Sequence, residues 1–347
     1  MSAHERRTPR AAIVSVTGTE LTADERELFE AYPPYGFILF KRNCQSPEGI
    51  RSLVASLGAC VGRDNVPILI DQEGGRVQRL APPVWRGAPS AASFGRLYAQ
   101  DPGAGLEAVR LNAHLIACEL ADLGVTVNCA PVLDLSLPGA HDVIGDRAFG
   151  GDPDTVASLA DAFAEGLRDG GVIPVIKHMP GHGRAMVDSH HDCPVVLASG
   201  AELRAMDFRP FQTFAGRGGD RAWGMTAHIL YEALDTEHPA TISASVIHDF
   251  VRGEIGFDWV LLSDDLSMQA LDGDAAERCL AALAAGCDLA LHCNGTLEER
   301  RALLTVVPGV SAESMARISR CDHSMPIPGA FDKVAATARL DHLLSAA

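Results

Sequence analysis

The densest chemistry in the chain lies between Lys177 and Asp192. Lys177-His178-Met179-Pro180-Gly181-His182-Gly183 runs on to Asp188-Ser189-His190-His191-Asp192, so four histidines and two aspartates fall within fifteen residues. Pro180, Gly181 and Gly183 keep this stretch out of helix and strand. Lys177 and His178 end an apolar run that reads as a buried strand, where an unpaired ammonium is costly. Two chemistries compete for the histidines. His and Asp are zinc ligands. Equally, Asp188 can orient and charge His190 as a general acid/base dyad working near neutral pH. The segment has neither an H-x-H pair nor H-E-x-x-H, so the metal reading rests on donor type alone.

Three further segments carry groups of the same kind. Asp264-Asp265 follows the apolar run Trp259–Ser263. A carboxylate aimed at an anomeric carbon is the nucleophile of a retaining glycosidase. An Asp here can equally cap the following turn, and two adjacent ones can do each job. Asp71 opens Asp71-Gln72-Glu73-Gly74-Gly75-Arg76-Val77-Gln78-Arg79. Its carboxylate can accept two sugar hydroxyls, or pair with Arg76 or Arg79. Arg147, ending Val143-Ile144-Gly145-Asp146-Arg147, offers a planar fork to a ligand carbonyl or carboxylate; a surface ion pair is the plainer use.

The elements that must position these groups alternate in type. Strands are expected at Ala11–Val16, Gly36–Phe40, Val66–Ile70, Val125–Ala130, Val172–Ile176, Trp223–Ala227, Trp259–Leu262 and Asp288–His292. Helices follow them at Thr22–Tyr32, Ser46–Val61, Leu106–Leu123, Asp152–Asp169, Ala201–Phe214, Ser243–Glu254, Asp274–Ala285 and Leu297–Val306, with closing helices at Ala312–Arg320 and Phe331–Leu344. Thr22 with Glu25 has capping-box spacing, Ser46-Pro47 opens a helix, and Gly286 closes one. Strict alternation demands parallel strands joined by right-handed crossovers. Eight such units predict one (β/α)8 barrel over residues 1–347, irregular at its early strands, with helices from about residue 311 packed on it. An open doubly wound sheet would show a Gly-rich phosphate turn after its first strand, and Thr17-Gly18-Thr19-Glu20 is not one. Barrel chemistry gathers at strand C-terminal ends, which here carry Asp71, Asp134, Lys177-His178, His228, Asp264-Asp265 and Asn294.

Composition narrows the partners. In 347 residues, 29 Lys and Arg stand against 45 Asp and Glu, a net charge of −16 that disfavours nucleic acid. No apolar run approaches the ~20 residues of a membrane span, and no signal peptide is legible. The nine cysteines are scattered without a C-x-x-C pair, which reads as a reduced, cytoplasmic chain.

Taken together, Asp71–Arg79 (DQEGGRVQR), Ala130–Asp134 (APVLD), Ile144–Arg147 (IGDR), Lys177–Gly183 (KHMPGHG), Asp188–His190 (DSH), Met225–His228 (MTAH) and Ser263–Met268 (SDDLSM) resemble glycoside hydrolase family 3. Within it they are similar to the single-domain bacterial β-N-acetylhexosaminidases of peptidoglycan recycling. The resemblance spans residues 13 to 295, nearly the whole chain. It implies Asp264 as nucleophile, and His190 as general acid/base held by Asp188. Asp71, Arg79, Arg147, Lys177 and His178 match the sugar-binding positions. The implied substrate is terminal β-linked N-acetylglucosamine on anhydro-muropeptides, with no metal or organic cofactor. A monomer or weak oligomer is expected. Met179 replaces a common Phe, and Arg184 stands where relatives carry a small or acidic residue. A metal-dependent barrel hydrolase and a phosphorylase using the same Asp264 are the alternatives.

Overall fold

The computed structural model describes residues 8–187, 193–218 and 221–345. Eight strands form a closed barrel: β1 Arg10–Ser15, β2 Pro34–Leu39, β3 Ile68–Ile70, β4 Val127–Asn128, β5 Ile173–Met179, β6 Trp223–Thr226, β7 Leu261–Asp265 and β8 Leu289–His292. Each strand pairs in parallel with its sequence neighbours, and β8 closes on β1 through Ala12–Ala290 and Val14–His292. The (β/α)8 expectation holds. Strands flanked by helices outside and packed side chains inside must be apolar on both faces, and β2 and β5 are buried at every position.

The helix signals act as the sequence suggests. Thr22 and Glu25 form a reciprocal capping box, Ser46 accepts from the Gly49 amide, and Gly286 closes its helix at φ 119°. The long helix starts earlier than expected, at Pro102, because Asp101 accepts from the Ala104 amide. An extra helix, Ala91–Gln100, and a small hairpin, Gln72–Gly74 with Val77–Gln78, lie between β3 and β4. The helices expected at Ala201–Phe214 and Ser243–Glu254 contain π-turns at Leu203–Asp207 and Val246–Glu254. Helices Ala312–Ser324 and Lys333–Ser345 lie against the barrel through Arg317–Asp288, Lys333–Asp122 and Arg339–Glu107.

The expected irregularity at the early strands is present and is not the only one among the described residues. A register break does occur in the β1–β2 pairing, but two others fall late, between Ile176 and Met179 and between Leu262 and Asp265. Those are the strand ends that carry Lys177-His178 and Asp264. Breaking the ladder there frees the backbone to turn polar side chains toward the barrel mouth.

Candidate active site

Five charged side chains converge at the C-terminal ends of β3 and β5. Asp71 follows β3 directly, and the hairpin after it brings Glu73 alongside. Gly75 forms the hairpin turn at φ 56°, and a Cβ there would lie 2.7 Å from that of Ser90. Asp71 Oδ2 accepts from Arg79 Nη2 at 2.9 Å and Oδ1 from Lys177 Nζ at 3.2 Å. Glu73 Oε1 lies 2.6 Å from Lys177 Nζ, and both Glu73 oxygens take the fork of Arg147 at 2.8 and 2.9 Å. Burial alone would discharge Lys177; Glu73 and Asp71 overcome it and raise its pKa. Burial likewise pushes Glu73 upward, but Arg147 and Lys177 hold it far below the usual carboxylate range.

This arrangement bears on the alternatives open for Arg147 and Asp71. The fork of Arg147 is occupied by Glu73 rather than held open for a ligand, because a buried carboxylate between β3 and β5 needs that partner. Asp71 is paired with Arg79 as well as placed at the cavity, so both readings of it apply: each ionised oxygen retains a lone pair for a hydroxyl. Arg76 instead ties down the loop before Arg147, meeting Asp146 at 2.9 Å and the Val143 and Ile144 carbonyls.

Asp134, beyond β4, organises the histidine segment. Its Oδ2 lies 2.7 Å from His178 Nδ1, and its Oδ1 accepts from the His178 and His182 amides at 3.1 and 2.7 Å. Burial works against ionisation of Asp134, but His178 outweighs it and its pKa is lowered. The carboxylate can only accept, so His178 carries its proton on Nδ1 and keeps Nε2 for the cavity it lines. Burial and the neighbouring His178 push His182 down to about 4, so it is neutral at pH 7. A Cβ on Gly183 would sit 2.4 Å from the Leu135 carbonyl oxygen, so only glycine fits this loop. Asp188 and His190 lie outside the described residues. Among those residues, no three His, Cys, Asp or Glu side chains gather as a metal-holding group.

The two aspartates after β7 divide their work. Asp265 accepts from the Ser267 and Cys293 amides, both at 2.9 Å, and pins the loops after β7 and β8. Asp264 lines the cavity, and its Oδ1 accepts the Asp265 amide at 2.8 Å. Burial would raise its pKa; His228, His178, the Asp265 amide and Lys177 overcome this and bring it to about 2. It is therefore an anion at neutral pH, with Oδ2 as the oxygen not held by that amide.

The cavity over these groups measures about 340 Å³. That is near the lower bound of small-ligand sites, about 300 Å³, and suits a single sugar ring. Its lining combines ionisable groups, among them Asp71, Lys177, His178, His182 and Asp264, with the apolar side chains of Ile38, Phe40, Met225 and Met268. A larger recess of about 520 Å³ lies between helices Pro102–Ala121 and Pro153–Asp169. Its charges pair with one another, as in Arg110–Glu165 and Arg217–Asp161, and it is remote from the strand ends.

Glu73 and Asp134 are the functional groups whose roles the sequence reading missed. Asp71 and Glu73 stand two apart, which puts them on one side of an extended chain, and that spacing was the available signal. Asp134 was visible as a strand-end carboxylate, but nothing local names its partners, which lie 44 and 48 residues away.

Arg184, the departure noted in the loop, is spent on Asp207: its Nε lies 2.7 Å from Asp207 Oδ2. Burial still pushes Asp207 from 3.8 to about 6, against the pull of Arg184. The folded chain thus holds a proton there more tightly than the unfolded chain. Stability tied to Asp207 is complete below the unfolded value and is lost as pH rises through about 6. Asp207→Asn removes this slope. Relative to the parent, its stability should improve by up to about 3 kcal/mol between acidic and neutral pH, as read by urea unfolding. A pH-independent difference between the two contradicts this.

Known proteins match the chain along most of its length. Residues 11–322 match the model of the glycosyl hydrolase family 3 N-terminal domain. A protein of Alkalilimnicola ehrlichii named beta-hexosaminidase is 39% identical over 318 residues, covering 91% of this chain and 89% of its own. A family 3 β-N-acetylglucosaminidase from Paenibacillus superposes with a TM-score of 0.84 at 30% identity, over 99% of this chain and 68% of that one. The structure of NagZ from Neisseria gonorrhoeae in complex with N-trifluoroacetyl-D-glucosamine superposes with a TM-score of 0.82 at 32% identity, over 97% and 98%.

Proposed function

The chain belongs to glycosyl hydrolase family 3 and is a glycoside hydrolase, and from that premise we propose that it is a retaining exo-β-N-acetylglucosaminidase. Its substrate is terminal, non-reducing β-linked N-acetylglucosamine, carried by GlcNAc-anhydro-muropeptides in cytoplasmic cell-wall recycling. The observation that supports this most is the ionised Asp264 lining a cavity sized for one sugar and walled by Asp71, Arg79, Lys177 and His178. The gonococcal relative's amino-sugar complex supports the substrate class.

In the first half-reaction Asp264 Oδ2 attacks the anomeric carbon, the bond to the leaving oxygen breaks, and His190 gives that oxygen a proton. Asp188 steadies the resulting change of charge on His190. In the second, His190 takes a proton from water, whose oxygen displaces Asp264 and regenerates the carboxylate. Asp71 and the Nε2 of His178 accept from sugar hydroxyls, while Arg79 and Lys177 donate to sugar oxygens. Arg147 acts by holding Glu73.

Proton NMR of the first turnovers of an aryl β-N-acetylglucosaminide tests the reading. The β-anomer of free N-acetylglucosamine is expected first, at the same rate with and without phosphate. The α-anomer contradicts retention, and a sugar 1-phosphate formed only with phosphate identifies a phosphorylase.

A further inference from the structure

Behind Asp264, away from the cavity, lies a connected set of polar groups to which the chemistry above gives no contact with substrate. Thr226, at the end of β6, accepts the Asp264 amide on Oγ1 at 3.3 Å. Its Oγ1 lies 2.8 Å from Thr241 Oγ1, which lies 2.7 Å from His228 Nδ1. His228 Nε2 lies 2.9 Å from the carbonyl oxygen of Asp265. That oxygen can only accept, so Nε2 carries a proton and donates it. Thr241 Oγ1 also reaches the Ala227 carbonyl at 3.1 Å. All three side chains are fully buried, and none lines the cavity. Interior polar groups in a fully connected network rigidify what they hold.

We propose that His228, Thr241 and Thr226 form a brace that positions the nucleophile, gripping the Asp264-Asp265 backbone at the Asp264 N–H and the Asp265 C=O. The inference rests on Asp264 being the nucleophile. β7 is least constrained here, because its pairing with β8 breaks register between Leu262 and Asp265. Its pairing with β6 ends at Leu262, two residues short of Asp264. The brace replaces the missing ladder from the β6 side and from the turn Ala240–Ile242. With the backbone fixed at both ends, the Asp265 amide fixes Oδ1 and leaves Oδ2 aimed at the sugar. None of the three side chains touches substrate; each acts through Asp264.

Thr241→Val keeps shape and removes the node of the network, Thr226→Val removes the grip on the Asp264 amide, and Thr241→Ser restores the hydroxyl. With an aryl β-N-acetylglucosaminide, kcat is expected to fall about tenfold or more in either valine variant, with KM within about twofold of the parent, since misplacing a reacting group slows chemistry more than binding. Thr241→Ser returns kcat to within about threefold of the parent. His228→Gln keeps a donor near Nε2 but loses the imidazole facing Asp264 opposite His178, His182 and Lys177. The acid limb of its kcat/KM profile moves to higher pH, a shift that a purely structural role does not produce. Thermal unfolding of each variant supplies the folding control. Folded valine variants that turn over like the parent, in an enzyme silenced by Asp264→Ala, overturn the brace alone. Survival of activity in Asp264→Ala overturns the nucleophile reading beneath it.

Discussion

Asp264→Ala should abolish turnover of aryl β-N-acetylglucosaminides, lowering kcat by about 10⁴-fold or more, equivalent to about 5.5 kcal/mol of lost transition-state stabilisation. The size follows from the site. Burial alone would favour protonation of Asp264, yet neighbouring positive groups and the Asp265 amide hold its pKa at about 2. The anion is therefore ready without a deprotonation step. Removing it deletes the covalent route rather than weakening it, while the sugar-binding wall stays intact, so KM should change little. Added azide should partly restore turnover by entering from the vacated face, and its product should be the α-glycosyl azide. Undiminished turnover in this variant, or a β-azide, contradicts the assignment.

Glu73→Gln should have the second largest effect, on folding and on binding together. The carboxylate takes three of the contacts that hold the charged wall, one from Lys177 and two from Arg147. Among the described residues, Lys177 would then keep only Asp71, which it shares with Arg79, and Arg147 only the Val143 carbonyl. Breaking a buried pair from one side costs about 3–5 kcal/mol, because the remaining charge stays buried. Urea unfolding should show a loss of that order. The surviving folded enzyme should bind substrate worse, with KM raised about tenfold or more as the cations relax from their positions. Asp71→Asn, by contrast, removes a proposed hydroxyl acceptor but leaves Lys177 with Glu73, so its stability loss should be the smaller. Equal stability of Glu73→Gln and the parent contradicts the role given to Glu73.

Much of this was legible in the chain before any coordinates. Strand–helix alternation makes apolar runs such as Trp259–Leu262 parallel strands covered on both faces, and eight such units without a Gly-rich phosphate turn point to the barrel over the open sheet. Caps such as Thr22 with Glu25 are local chemistry and work as written. Two kinds of feature were not legible. The strand ends were set too short: β5 runs on through Lys177 and His178 to Met179, and β7 through Asp264 to Asp265. Charged residues read as loop when counted by type, and only their long-range partners let them stay in strand. The helix Ala91–Gln100 is hard to read from the chain because Gly95 weakens its helix propensity, even though Ser90 stands at its N-cap. The roles of Glu73, Asp134 and the His228 brace all depend on contacts between distant segments, which spacing along the chain does not encode.

The most direct measurement is intact-mass and peptide-mapping spectrometry after reaction with a slow, fluorine-substituted β-GlcNAc donor bearing a good leaving group. A single covalent N-acetylglucosaminyl-type adduct on the peptide containing Asp264, absent from Asp264→Ala, is the expected result. Time-dependent inactivation with the adduct on another residue, or turnover of the donor with inversion and no adduct, contradicts Asp264 as the nucleophile.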